Sequence, residues 1–169
     1  MLSLRERVAL ERAPKRKSDP GRLFGSVGDV VGKVWNSPNT ALGVLAGGVG
    51  YGLAQANRLR PGPQPVPGVA FGHNAVEFTN NPLGGVSAVT LGNAILYSDD
   101  KYASEAGRAH EQAHTYQGQQ LGPAYLPSNL LGGLWAMAKD GRWHGDHNWN
   151  ERGPQLTPPR PWTPVPRSK

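Results

Sequence analysis

Apolar positions along the chain change period twice. Leu23, Val27, Val30, Val31 and Val34 recur at helical spacing, and Asn36–Ser37–Pro38 stops the run. Asn39 or Thr40 then offers a cap for a second helix, TALGVLAGGVGYGLAQANRL. PGPQPVPG at 61–68 alternates proline and reads as an extended connector. Beyond it the period becomes two. AVEF (75–78), VSAVTL (86–91) and AILY (94–97) read as short strands, with TNNPLGG and Gly92–Asn93 as turns between them. Helical spacing returns from Tyr102 to Gln120, with Ser98–Asp99–Asp100 as cap and Gly122–Pro123 as stop. A further helix is predicted from Pro127–Ser128 to Lys139, ended by Asp140–Gly141.

The fold class expected is α+β: a small, mostly helical domain with a short antiparallel hairpin or meander ahead of the helix at 102–120. Four stretches follow: a basic segment at 1–20, two glycine-rich helices packed on the domain at 21–60, the main domain at 61–153, and a proline-rich tail at 154–169. Six prolines between Pro154 and Pro166 predict an extended tail outside any packed core.

The second helix has an uncharged stretch from Ala41 to Ala56, shorter than the roughly 20 apolar residues of a membrane span. Gly43, Gly47 and Gly50, with Ala46 and Ala54, allow another backbone close approach. Two readings stand: a buried helix packed tightly in the domain, or a membrane contact through residues 40–59.

Charge refines the picture. Residues 1–33 hold eight Lys/Arg against four Asp/Glu, and 150–169 hold four against one, whereas 34–149 hold six against seven. The net charge of +6 therefore belongs to the ends, and no basic face for specific nucleic-acid binding is expected on the folded part. The N-terminus has scattered charges and no apolar h-region, so no Sec signal peptide is expected. With no cysteine in the chain, any metal must be held by His, Asp or Glu.

HEQAHTYQ, at 110–117, carries candidate chemistry. Positions i and i+4 lie one above the other on a helix, so His110 and His114 can present two imidazoles to one zinc ion. Glu111 stands beside them, placed to take a proton from a water on the open side. A catalytic zinc takes three protein ligands, and His144, Asp146, His147 and Glu151 in the downstream loop are the candidates for the third. His73 reads as a turn residue. Tyr125, Gln117 and His144 are candidates for stabilising a transition state or supporting the ligands.

HEQAHTYQGQQLGPAYLPSNLLGG, with HNAVEFTNNPLGG and VTLGNAILY upstream, resembles the zincin metallopeptidases. More narrowly, it resembles bacterial domains found near the ends of secreted or polymorphic-toxin-type proteins. The resemblance covers about residues 38–162. It implies a zincin-like domain, a Zn2+ cofactor, a peptide or protein substrate, and a downstream glutamate ligand as in the gluzincins, which here matches Glu151. One departure is that Gly153–Pro154 follows at once, whereas gluzincin third ligands usually sit within a helix. Three function classes result: a zinc metallopeptidase, a toxin or effector module with the same chemistry, and a non-catalytic metal or membrane-interaction module.

Overall fold

The computed structural model describes residues 20–164. The chain divides into two units, residues 1–30 and 31–169. In the first, residues 20–30 are helical, forming the start of α1 (Pro20–Trp35). The basic segment predicted at 1–20 lies outside the described residues but for Pro20, as does the end of the tail at 165–169.

The second unit continues α1 and adds α2 (Ser37–Asn57), β1 (Gly68–Gly72), β2 (Ala75–Thr79), β3 (Ala88–Leu91), β4 (Ala94–Tyr97), a 3-10 turn (Asp100–Ala103), α3 (Glu105–Leu121) and α4 (Tyr125–Asp140). The fold is α+β, as the periodicity predicts. The start of α2 differs from expectation. Asn36 precedes it without a side-chain cap, and Pro38 lies in its first turn. Asn39 and Thr40 therefore stand inside the helix and bond elsewhere. Asn39 Nδ2 donates to Asn36 Oδ1 (2.9 Å) and to the Gly122 carbonyl (2.7 Å), while Thr40 Oγ1 accepts from Asn93 N (2.9 Å). The cap of α3 is also displaced: Asp99 caps the 3-10 turn, and Ser104 Oγ caps α3 itself by accepting from Gly107 N.

The four strands run in the order β1-β2-β4-β3. β1–β2 and β3–β4 are antiparallel pairs, and β2–β4 is parallel. A meander would have placed β3 beside β2. Instead the chain from 80 to 87 steps past that position, and β4 returns into it. All four residues of β4 are buried, so this strand belongs where both faces are covered. Asn81 fastens the crossover: its N donates to the Tyr97 carbonyl (2.9 Å), and its Nδ2 donates to the Gly47 carbonyl (2.9 Å). β1 is not among the expected strands: it starts at Gly68, the last residue of the predicted connector. It pairs with β2 through a turn at His73 and Asn74, both at positive φ (47° and 65°).

Strand alternation divides the labour of the sheet. Phe78, Ala94 and Leu91 face α2, which meets them with its small residues. A Cβ on Gly43 would lie 2.5 Å from the Leu91 carbonyl oxygen, and one on Gly47 would lie 2.3 Å from the Phe78 ring. Glycine is required here by close approach. It lets a buried Phe78, worth about 1.5–3 kcal/mol, lie flat against the helix backbone. Glu77, Thr90 and Ile95 lie on the other face, toward α3.

This packing makes two adjacent glycines opposite in kind. Gly47→Ala drives a methyl into the Phe78 ring and should destabilise by about 1–3 kcal/mol. Gly48→Ala meets nothing within 4 Å and should stabilise by about 0.5–1 kcal/mol through helix propensity. Urea unfolding of both variants checks this, and equal effects would contradict the packing.

Candidate metal centre

α3 carries two working stripes. Arg108, Glu111 and Thr115, spaced three and four apart, turn toward the sheet. The Arg108 guanidinium pairs with buried Glu77, which His73 Nδ1 also meets at 2.7 Å. Thr90 Oγ1 donates to Glu111 Oε2 at 2.5 Å, and Asn74 Nδ2 donates to Thr115 Oγ1 at 2.9 Å. His110, His114 and Gln117, spaced four and three, turn instead toward the loop after α4.

His110 Nε2 and His114 Nε2 are 3.3 Å apart. Glu151 completes the group: its Oε2 is 3.4 Å from His110 Nε2, and its Oε1 is 3.5 Å from His114 Nε2. Donor atoms about 2.0–2.1 Å from a tetrahedral ion are about 3.3–3.4 Å from one another, which is close to the His110–His114 separation, and each imidazole faces one of the two Glu151 oxygens. Glu151 is 2% exposed, and its Oε2 has no hydrogen-bond partner. A buried, orphaned carboxylate oxygen beside the His110 imidazole fits a cation. His110, His114 and Glu151 could hold a metal ion.

Gln117 orients the inner ligand. Its Nε2 donates to the carbonyls of Asn150 (2.8 Å) and Pro161 (2.5 Å), which turns its Oε1 to His114 Nδ1 at 2.9 Å. That oxygen can only accept, so Nδ1 carries the proton and Nε2 keeps its lone pair for the cluster. In the metal-free chain, burial pulls the His114 pKa down, but the Glu151 hydrogen bond and the charges of Glu111 and Glu151 push it up to about 8. Burial likewise works to raise Glu151, yet the three imidazoles of His110, His114 and His144 hold it far below the usual carboxylate range.

The loop that delivers Glu151 is a chain of turns rather than a helix, as Gly153–Pro154 requires. Gly141, in the left-handed region at φ 70°, ends α4. Turns then follow: Gly145 N to Arg142 O, Asn148 N to Gly145 O, Glu151 N to Asn148 O. Asn148 and Asn150 are fully buried and hold this chain. Asn148 Oδ1 accepts from Asn150 N (3.1 Å), its Nδ2 donates to the Trp143 carbonyl (3.1 Å), and Asn150 Nδ2 donates to Ser128 Oγ (3.2 Å). Trp143 packs against Gly133 of α4.

Of the four candidates for a third ligand, Glu151 meets both motif histidines. His144 lies beside it, with Nδ1 3.1 Å from Glu151 Oε1, half exposed at the mouth of the site. His147 bonds instead to Asp140 (2.6 Å), and the Asp146 side chain is exposed near Arg142. The expectation of an extended, unpacked tail is corrected. Pro154 is buried, the Gly153 carbonyl accepts from Leu156 N and Arg160 N, and Trp162 Nε1 donates to Gln120 Oε1. Proline lacks a donor but keeps its carbonyl, and Pro161 uses it to brace Gln117.

A cleft of about 440 Å3 opens onto the cluster. β3, α3 and α4 form its walls, with Glu111, Tyr125, Trp143 and His144 among its lining. Tyr125 is buried, and desolvation together with the charges of Glu111 and Glu151 raises its pKa well above that of an ordinary phenol. It keeps its proton throughout the neutral range. Thr90 and Pro161 were missed in the sequence. A threonine on the inward register of a strand was the one local signal for the first, and nothing local marked the second.

Gln117→Leu removes the acceptor at His114 Nδ1. It should weaken metal binding by about 10–100-fold in competition with a chelator, and unchanged affinity would contradict the bracing role. Comparison with known proteins finds no matching family model, no matching curated protein and no matching solved structure, so the centre is interpreted from its own geometry.

Proposed function

We propose that the protein is a zinc-dependent hydrolase of the zincin kind, acting on peptide bonds. The observation that carries this is the sharing of one cleft by Glu111 and the His110–His114–Glu151 group. Two imidazoles, one carboxylate and no thiol form a donor set suited to catalytic zinc, which leaves a fourth position open. When bound, such an ion acidifies water and polarises a carbonyl oxygen.

The chain's own groups supply the rest. Glu111 acts as general base: the Thr90 hydroxyl fixes one carboxylate oxygen, and the other is left to receive a proton. Tyr125 stays protonated and holds an O–H at the cleft wall, where charge would develop on the substrate oxygen. β3 is an edge strand that lines the cleft, and its unpaired side offers backbone donors and acceptors to an extended peptide. That edge favours a peptide over a compact small molecule.

Glu111→Gln should retain zinc and lower the turnover of an unstructured protein substrate such as casein by about 10²–10⁴-fold. Thr90→Val should also retain zinc, with a smaller loss in kcat than Glu111→Gln. Full hydrolysis by Glu111→Gln would reject the mechanism, and no hydrolysis by the zinc-loaded wild type would favour a non-catalytic metal module.

A further inference from the structure

α2 is built inside out for a helix at the surface of a domain. Its buried face is Gly43, Gly47, Gly50 and Ala54. Its large side chains point the other way: Leu42, Leu45, Val49 and Leu53 are 57%, 69%, 55% and 50% exposed. Spaced three and four apart, they form one aliphatic stripe about 16 Å long. β1 extends the apolar surface, because α2 covers β2, β3 and β4 on this face and leaves Phe71, 85% exposed, uncovered. A contiguous apolar surface of this kind marks an interaction site.

Charge selects the occupant. From Val34 to Val76 the only charged side chains are Arg58 and Arg60, so the C-terminal end of α2 is cationic and no carboxylate lies along the helix. A second copy of the chain, paired with its α2 parallel to this one, would set Arg58 and Arg60 against their own copies. The stripe itself is purely aliphatic, without the hydrogen-bonding groups that set register in a protein interface. No described helix is long and apolar enough to cross a membrane. An apolar stripe with a basic end fits a helix lying in the plane of an anionic bilayer, its aliphatic side chains among the acyl chains and its cations at the headgroups.

We propose that α2, with Phe71 of β1, docks the domain on an anionic lipid surface. α2 and α3 occupy opposite faces of the sheet, so docking leaves the cleft open to substrate. The proposal is independent of the metal chemistry.

The test is flotation of the full chain with vesicles of phosphatidylcholine and phosphatidylglycerol in equal parts, and with phosphatidylcholine alone. The wild type should float with the anionic vesicles. Leu45→Glu/Val49→Glu should lower its partitioning by more than about tenfold, as should Arg58→Glu/Arg60→Glu, because each removes one of the two attractions. All four side chains are exposed, so thermal unfolding should stay unchanged and show that both variants fold. Three results would overturn the proposal. One is failure of the wild type to float. Another is flotation of Leu45→Glu/Val49→Glu at the wild-type level, which would leave binding to the charged ends of the chain. The third is a self-association, seen by sedimentation, that the same substitution abolishes while vesicles stay unbound.

Discussion

A carboxylate taken out of water costs several kcal/mol unless cations or strong donors meet it. Glu151 is taken out of water, and three imidazoles converge on it from two parts of the chain. Much of the surrounding structure serves that convergence. The turn chain holding Glu151 is stiffened by two buried asparagines and lies against Gly132 of α4, where a Cβ would stand 2.5 Å from Asn148 Oδ1. Gln117 reaches from the histidine helix to both the Glu151 loop and the tail, so one side chain sets the His114 tautomer and ties down the segment that carries its partner. A buried acid that depends on its neighbours in this way gives the fold a place that could hold a metal ion.

The sheet separates two requirements that would otherwise compete. One face takes a helix of minimal bulk, so the layers close tightly at Gly43 and Gly47. The other face is free for polar chemistry: Glu77 anchors Arg108, and Thr90 aims Glu111. Placing β4 at the centre buries the most apolar strand and pushes β3 to the edge, where it forms one wall of the cleft. The same economy leaves the bulk of α2 facing outward. A helix with glycines inside and leucines outside is stable only because close backbone approach compensates for the missing side-chain burial.

What was legible in the sequence was what local geometry determines. His110, Glu111 and His114 share a helix, and i,i+4 spacing already fixes their mutual placement. The type of most elements followed from period and from the glycine stops at Gly122 and Gly141, while both predicted N-caps were displaced. Glu151 could be narrowed only to one of four loop residues, because its position depends on Asn148, Asn150 and Ser128, partners distant in sequence. The same reason hid the parallel pairing of β2 with β4 and the bracing by Pro161. The proline tail misled most: its composition argues against a core, yet its Pro161 carbonyl accepts from Gln117 of α3, and its Trp162 donates to Gln120 of the same helix. For α2, the small residues announced close packing correctly. That the opposite face would stay uncovered depends on how the rest of the chain folds.

X-ray absorption at the zinc edge, on protein loaded with one equivalent of zinc, tests the central claim most directly. A single ion with two imidazole nitrogens and a carboxylate oxygen at about 2.0–2.2 Å is predicted, with the spectrum lost in Glu151→Ala. A spectrum unchanged by that substitution, or one that responds instead to replacement of His147 or Asp140, would contradict it.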